Sequence, residues 1–74
     1  RMKSKIIVMK TVDKMQEFCQ HASHVDGDVN VKSGQYFVNG KSLFGVLSLA
    51  THLGVTVEYP NDATAFEKYL DEVF

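Results

Sequence analysis

The alternation of apolar and polar residues predicts a strand and then a helix at the start of the chain. Residues 5–10, KIIVMK, form a short run rich in β-branched side chains and bounded by lysines, which favours a strand. In residues 11–23 the apolar side chains recur at i, i+3, i+4 and i+7, which predicts a helix with one buried stripe. This stripe consists of Met15, Phe18, Cys19 and Ala22. Thr11 or Asp13 is the expected N-cap.

The pattern of apolar and polar residues also predicts three further strands and a last helix. Residues 28–32 alternate strictly and residues 35–38 are rich in strand formers, and the Ser33-Gly34 turn between them predicts a hairpin. Residues 55–59 alternate again before Pro60. Asp62 is the expected cap of a final helix. The apolar face of that helix comprises Phe66, Tyr69, Leu70 and Val73.

The central segment, residues 39–54, predicts a second helix that is apolar on nearly every side. Ser42 suits its N-cap, and Gly54 suits a left-handed position just beyond its end. At about 100° per residue, the core stripe falls on Val46, Ala50 and Leu53, with Leu43 and Leu49 to either side. The solvent side then collects Ser48, Thr51 and His52.

Phe44 falls on the polar side of this helix, and Leu47 falls between its two faces. One interpretation is that Phe44 packs under a loop or a neighbouring helix. The other is an apolar surface for a protein partner, since exposed apolar patches on small domains usually mark such a surface. We call this surface the docking patch, and it consists of Lys41, Leu43, Phe44, Leu47, Ser48 and Thr51.

The element order β-α-β-β-α-β-α predicts a single α+β domain over residues 1–74. We expect a two-layer arrangement in which three helices cover one face of a four-stranded antiparallel sheet and the other face stays open. Two topologies fit this order: a ferredoxin-like split βαβ fold and an open-faced β-sandwich. The pattern alone does not choose between them.

Composition excludes several classes of function. A net charge of −1 gives no electrostatic reason to bind nucleic acid or an anionic membrane, and no apolar run reaches the about 20 residues needed to span a bilayer. The one cysteine, Cys19, allows no intrachain disulfide and is expected to be a buried hydrophobe, so we expect a cytoplasmic protein.

The three histidines are not expected to form a chemical centre. His21 and His24 are three residues apart and near Cys19, but a metal site needs three or four converging ligands and Cys19 faces the core. His52 lies near the end of the second helix, where a cation is favoured electrostatically. No nucleophile–base pair or carboxylate dyad is evident, so we expect neither a metal, nor a cofactor, nor conventional enzyme activity.

The segment KSLFGVLSL at residues 41–49 resembles the second-helix signature of the HPr family, the histidine-containing phosphocarriers of the bacterial sugar phosphotransferase system. The element order resembles this family over nearly the whole chain. The resemblance implies the open-faced sandwich. It also implies that the second helix docks other proteins of that system or a transcriptional regulator, and that Ser42 is the site of a regulatory ATP-dependent phosphorylation.

The chain departs from the family at the phosphoryl acceptor. Thr11 occupies the position of the active-site histidine and Asp13 that of its arginine. A threonine hydroxyl without a base is a poor nucleophile near neutral pH, and an aspartate repels a phosphoryl group. We therefore expect an HPr-like protein without phosphohistidine transfer. The alternatives are a phosphocarrier with a displaced acceptor, His24, and a ferredoxin-like small-molecule sensor or oligomerisation module.

Overall fold

The computed structural model describes all residues, Arg1–Phe74, and its element order is the expected one. The elements are β1 (Met2–Ile7), α1 (Val12–Ser23), β2 (Asn30–Ser33), β3 (Tyr36–Asn39), α2 (Leu43–Leu47), β4 (Val55–Pro60) and α3 (Thr64–Val73).

The four strands form one antiparallel sheet in the order β1-β4-β2-β3. The first strand therefore lies at the sheet edge beside the last one. This order is that of the open-faced sandwich and excludes the ferredoxin-like alternative. The predicted α+β class and the predicted number of strands and helices are confirmed.

The first strand lies earlier in the chain than predicted. It spans Met2–Ile7 rather than residues 5–10, because its partner β4 begins at Val55, which pairs with Ile7. Residues beyond Ile7 have no β4 residue with which to pair. Lys3 and Lys5 face α3, where they form ion pairs with Glu67 and Asp71 at 3.2 and 2.6 Å.

The three helices cover this same face of the sheet, and their apolar side chains form the core together with it. The predicted stripe of α1 is confirmed, because all four of its apolar residues are buried, including Cys19. The Phe18 and Phe66 rings meet edge to face with their centroids 5.7 Å apart, which joins α1 to α3. Thr11 is the N-cap of α1, and its hydroxyl accepts a hydrogen bond from the Lys14 backbone N–H.

Two predictions about α3 are wrong. Its N-cap is Ala63, which offers no side-chain acceptor, and Asp62 lies in the turn before it. Val73 is more than a third exposed, whereas Phe66, Tyr69 and Leu70 are buried as predicted. The last turn of α3 extends past the core, so its apolar stripe is longer than the surface it covers.

The β2–β3 hairpin is confirmed. Ser33 pairs with Tyr36 across a two-residue turn, in which Gly34 has a φ of +57°. A glycine in the left-handed region at the first turn position suits the backbone twist of a tight hairpin. No helix of the protein is both long and apolar enough to cross a membrane.

Candidate functional site

The start of α2 is fixed by a side-chain cap and by two close backbone approaches. Ser42 has extended backbone angles, and its hydroxyl accepts a hydrogen bond from the Gly45 N–H at 3.2 Å. A Cβ at Gly45 would lie 3.2 Å from the Cβ of Val38 on β3. One at Gly40 would lie 2.6 Å from a methyl of Val29, so this turn needs glycine. The predicted N-cap is confirmed.

The second helix is much shorter than predicted and ends at Leu47, with Ser48 as its C-cap. The chain continues in turns joined by i to i+3 hydrogen bonds, from Leu49 to Val46, Ala50 to Leu47 and His52 to Leu49. Such turns advance each residue by about 120° instead of 100°, so the stripe drawn for an α-helix no longer applies.

Because of this change of winding, several residues predicted to be buried are exposed, and one predicted to be exposed is half-buried. Val46 and Leu49 are buried as expected, but Ala50 is exposed and Leu53 is 88% exposed, so neither belongs to the core. His52 turns inward and is half-buried. The predicted left-handed Gly54 is also wrong, because only Gly27 and Gly34 have positive φ.

The docking patch divides into an exposed part and a packed part. Phe44 is 88% exposed, so the alternative in which it packs under a loop or a helix is wrong. Leu43 and Leu47 are half-buried and pack against the core. Phe44 is therefore the large apolar side chain of this helix that is most exposed to solvent.

The polar members of the patch have different surroundings. Lys41 is half-buried, and its ammonium donates a hydrogen bond to the Val25 carbonyl at 2.8 Å. Ser48 is exposed and donates to the Gly45 carbonyl at 2.6 Å, and Thr51 is exposed. Lys41 thus holds the loop after α1 as well as bordering the patch.

At the start of α1, the Thr11 hydroxyl accepts from a backbone N–H at 3.1 Å, as a helix cap does. Thr11 and Asp13 are both exposed. Beside Thr11 lies an open apolar groove, and no histidine lines it. The lining residues are Ile6, Ile7, Val8, Lys10, Thr11, Lys14, Val73 and Phe74.

His21 and His24 lie at the opposite end of α1, and both are exposed. The His21 ring stacks on Tyr69 with centroids 3.7 Å apart, and His24 is the C-cap of the helix. No group of three or more histidine, cysteine or acidic side chains is arranged to hold a metal ion. His21 therefore has a packing role that the sequence did not indicate.

The fold brings together one pair of polar side chains that are distant in the sequence. The Ser33 hydroxyl oxygen lies 2.7 Å from Nδ1 of His52, so a potential nucleophile and base do meet in this fold. They are 19 residues apart in the chain. The sequence predicted a continuous helix with His52 on its solvent side. The spacing of residues along the chain therefore did not indicate this contact.

Three of the five groups with shifted pKa values, Lys5, Tyr59 and Glu67, lie between the sheet and α3. Glu67 has a lowered pKa, first because the Tyr59 hydroxyl donates a 2.7 Å hydrogen bond to its carboxylate and then because Lys3 donates another. The Lys5 pKa is raised, chiefly by its hydrogen bond to Asp71. Burial raises the pKa of Tyr69. Lys5 and Tyr59 thus join β1 and β4 to α3, whereas Tyr69 joins α3 to Glu17 of α1.

Comparisons with known proteins agree with this geometry. A family model described as the phosphorylation site of the HPr component of the phosphotransferase system matches residues 14–72, which begin after Thr11. No curated protein sequence matches the chain.

Three solved structures are similar over nearly the whole chain. HPr-C-His from Thermoanaerobacter tengcongensis has a TM-score of 0.76 at 24% identity, over 96% of this chain and 89% of that one. HPr from Bacillus anthracis str. Ames has 0.72 at 26% identity, over 93% and 92%. A Mycoplasma histidine-containing phosphocarrier protein has 0.72 at 20% identity, over 97% and 89%.

Proposed function

Because this chain belongs to the HPr family of the phosphotransferase system, we propose that it works in the cytoplasm as a protein-docking member of that system. Its docking surface is the patch on α2. In this proposal the protein works without phosphohistidine transfer, and Ser42 is a site of regulatory phosphorylation. The partners are other phosphotransferase-system proteins or a transcriptional regulator.

The exposure of Phe44 is the observation that carries the proposal. A phenylalanine that is 88% exposed contributes little to folding, because most of its apolar surface stays in water. Aromatic side chains placed in this way are typical anchors of protein–protein interfaces. The helix beneath Phe44 is held rigidly by the cap at Ser42 and by its close contact with β3 at Gly45, so the anchor is pre-positioned.

Ser42 supports the regulatory part of the proposal by its position. It is half-buried and comes two residues before Phe44 in the chain. A phosphoryl group there adds a charge of about −2 at the border of the patch, which changes the partners that can dock. No acidic residue occurs within α2, so such a charge would be new to this surface.

The chemistry at Thr11 supports docking rather than transfer. Its hydroxyl caps α1, and no imidazole lines the groove beside it. Threonine needs an adjacent base to act as a nucleophile near neutral pH. The alternative acceptor His24 gains no support either, because its ring has no hydrogen-bond partner that would orient it.

Binding to enzyme I of the phosphotransferase system tests the docking proposal. We expect saturable changes in the backbone amide signals of residues 43–51 when enzyme I is added to the isotopically labelled chain. The Phe44→Ala variant should bind at least about tenfold more weakly, because interface anchors typically contribute more than about 1.4 kcal/mol.

Phe37→Ala is the matched control, because Phe37 is 59% exposed but lies on β3. It should bind as the parent chain does. Equal weakening by the two substitutions, or signal changes centred on the sheet, would contradict the proposal. If enzyme I does not bind, the same pair of variants tested against a phosphotransferase-linked transcriptional regulator decides whether the patch docks that partner.

The regulatory proposal has its own test. Incubation with ATP and a serine kinase specific for HPr proteins should add one acid-stable phosphoryl group, absent in Ser42→Ala but present in Ser48→Ala. Labelling of Ser48 with Ser42 unmodified would refute the assignment of the site.

A further inference from the structure

Strand β3 forms one edge of the sheet, because it pairs with β2 on one side only. Ser33 and Tyr36 flank a two-residue turn, so they are the hydrogen-bonded pair that closes the hairpin. Along an antiparallel strand, residues alternate between bonding to the neighbouring strand and facing away from it. The N–H and C=O of Phe37 therefore point outward from the sheet edge.

Two hydrogen bonds further along the chain agree with this alternation. The Gly40 N–H donates to the Val29 carbonyl just before β2, so Gly40 bonds toward that strand. The Asn39 carbonyl accepts from the Ser42 N–H, so Asn39 faces away from it. Phe37 lies two residues before Asn39 and takes part in none of the hydrogen bonds of the turns, loops and caps. Its donor and acceptor are thus free for a partner strand.

The two edges of the sheet differ in charge. The other edge strand, β1, carries Lys3 and Lys5, whose ammonium groups pair with acidic residues of α3. Charged side chains on an edge strand oppose pairing with a second sheet. Residues 33–40, SGQYFVNG, contain no charged side chain, and Phe37 among them is exposed. The edge at β3 therefore lacks the charge that protects the edge at β1.

We propose that two copies of this chain pair antiparallel through β3, about a twofold axis at Phe37, and join their four-stranded sheets into one. In this register the Phe37 N–H of each copy donates to the Phe37 carbonyl of the other. The outward positions 35, 37 and 39 are symmetric about Phe37, so Gln35 of one copy lies opposite Asn39 of the other. The edge is thus complementary to itself, and such a contact closes at two copies.

The Phe37 side chains belong to the same contact. Directly opposite residues of a hydrogen-bonded antiparallel pair have Cα atoms about 5.5 Å apart, so the two rings meet on the open face of the sheet. The Lys32 ammonium lies 5.7 Å from the centroid of the Phe37 ring, and Glu58 pairs with it at 3.0 Å. Neither copy therefore brings an unpaired charge to the axis. One short strand from each copy makes a small interface, below about 1,200 Å², so we expect a reversible dimer.

Sedimentation velocity of the parent chain from micromolar to millimolar concentration tests the proposal. The sedimentation coefficient should rise from the monomer value toward the dimer value. Hydrogen exchange of the Phe37 amide should slow over the same range, because its N–H becomes paired. Phe37→Glu should stay monomeric, because two carboxylates would lie directly opposite each other, while within its own copy each faces Lys32. Ile6→Glu is the matched control, because Ile6 is exposed on β1, and it should dimerise as the parent does.

Two further measurements test the twofold axis itself. An equimolar mixture of Phe37→Glu and Phe37→Lys should restore the dimer, because opposite charges then meet at the axis. Phe37→Cys should form an intermolecular disulfide through residue 37 under mild oxidation, since the Cα separation of about 5.5 Å lies within disulfide range. Ile6→Cys should not cross-link.

A parent chain that stays monomeric at every concentration, an equal loss of dimer in Ile6→Glu and Phe37→Glu, or a mixture that stays monomeric would each overturn the proposal. Protection of the Phe37 amide only in the presence of enzyme I would assign this edge to a strand of another protein instead. If Phe37→Glu does not fold, as judged by circular dichroism, the Phe37→Cys cross-link decides.

The dimer goes beyond docking and depends on a different element. No partner protein is present in the sedimentation and cross-linking experiments, so failure of enzyme I docking leaves their outcome unchanged. The enzyme I titration is run at a concentration where the chain is monomeric, so Phe37→Ala remains its control and a missing dimer does not affect it.

Discussion

Replacing Ser42 by alanine separates the capping role of this hydroxyl from its proposed regulatory role. The hydroxyl accepts the Gly45 N–H at 3.2 Å, and no other side chain caps α2. Loss of a serine N-cap costs about 1 kcal/mol, within a range of about 0.5–2. We place Ser42→Ala near the middle of this range, because α2 is short but also packs against β3 through Gly45.

For a domain of this size, about 1 kcal/mol lowers Tm by about 4–8 °C. Scanning calorimetry of the parent chain and Ser42→Ala measures this shift directly. Ser42→Asp is the informative partner variant, because its carboxylate keeps an acceptor for the Gly45 N–H. We therefore expect Ser42→Asp to retain most of the Tm that Ser42→Ala loses.

Comparing Ser42→Ala with Ser42→Asp separates an effect of charge on enzyme I binding from an effect of helix stability. A change in enzyme I binding by Ser42→Asp at nearly unchanged Tm arises from the charge beside Phe44 and not from a disrupted helix. If the Tm of Ser42→Ala lies within about 1 °C of the parent value, the change in the free energy of unfolding is only about 0.2 kcal/mol. That result would refute the cap as a stabilising contact. Ser48→Ala controls for the loss of a nearby hydroxyl, because Ser48 is exposed and donates to a carbonyl instead of capping an N–H.

Three further predictions concern the fold. Val46→Ala should lower stability by about 2 kcal/mol, because it removes two methyl groups from a site that is 1% exposed, whereas Phe44→Ala should stay within about 0.5 kcal/mol in urea unfolding; a larger loss at Phe44 would show that it is packed. Because the folded-state pKa of Glu67 lies below the ordinary value of 4.5, chiefly through Tyr59, its stabilising contribution is complete above about pH 4.5 and is lost as the pH falls through the lower value. Acid unfolding followed by circular dichroism should therefore have a shallower pH dependence in Glu67→Gln, and equal curves would contradict the assignment. The Cys19 thiol is 8% exposed and burial raises its pKa, so an aromatic disulfide reagent at neutral pH should label it only as fast as the chain unfolds; immediate labelling of the native chain would exclude its burial.

Local patterns in the sequence determined most of the elements. The stripe of α1, the hairpin at Gly34 and the cap at Ser42 depend on interactions within a few residues, which the order of side chains alone specifies. The segment at residues 41–49 also indicated the family that the comparison with known families then showed. The same local patterns placed Thr11 and Asp13 at the start of α1.

Only the tertiary structure decided the features that depend on distant partners. Strand β1 ends where β4 has no further residue to pair, and the choice of sheet order requires all four strands together. The regular winding of α2 stops at Leu47, which no local signal marked, and this turned Leu53 outward and His52 inward. The contact of His52 with Ser33 follows from that turn, because a hairpin and a loop that are distant in the chain meet only once the sheet and α2 are in place.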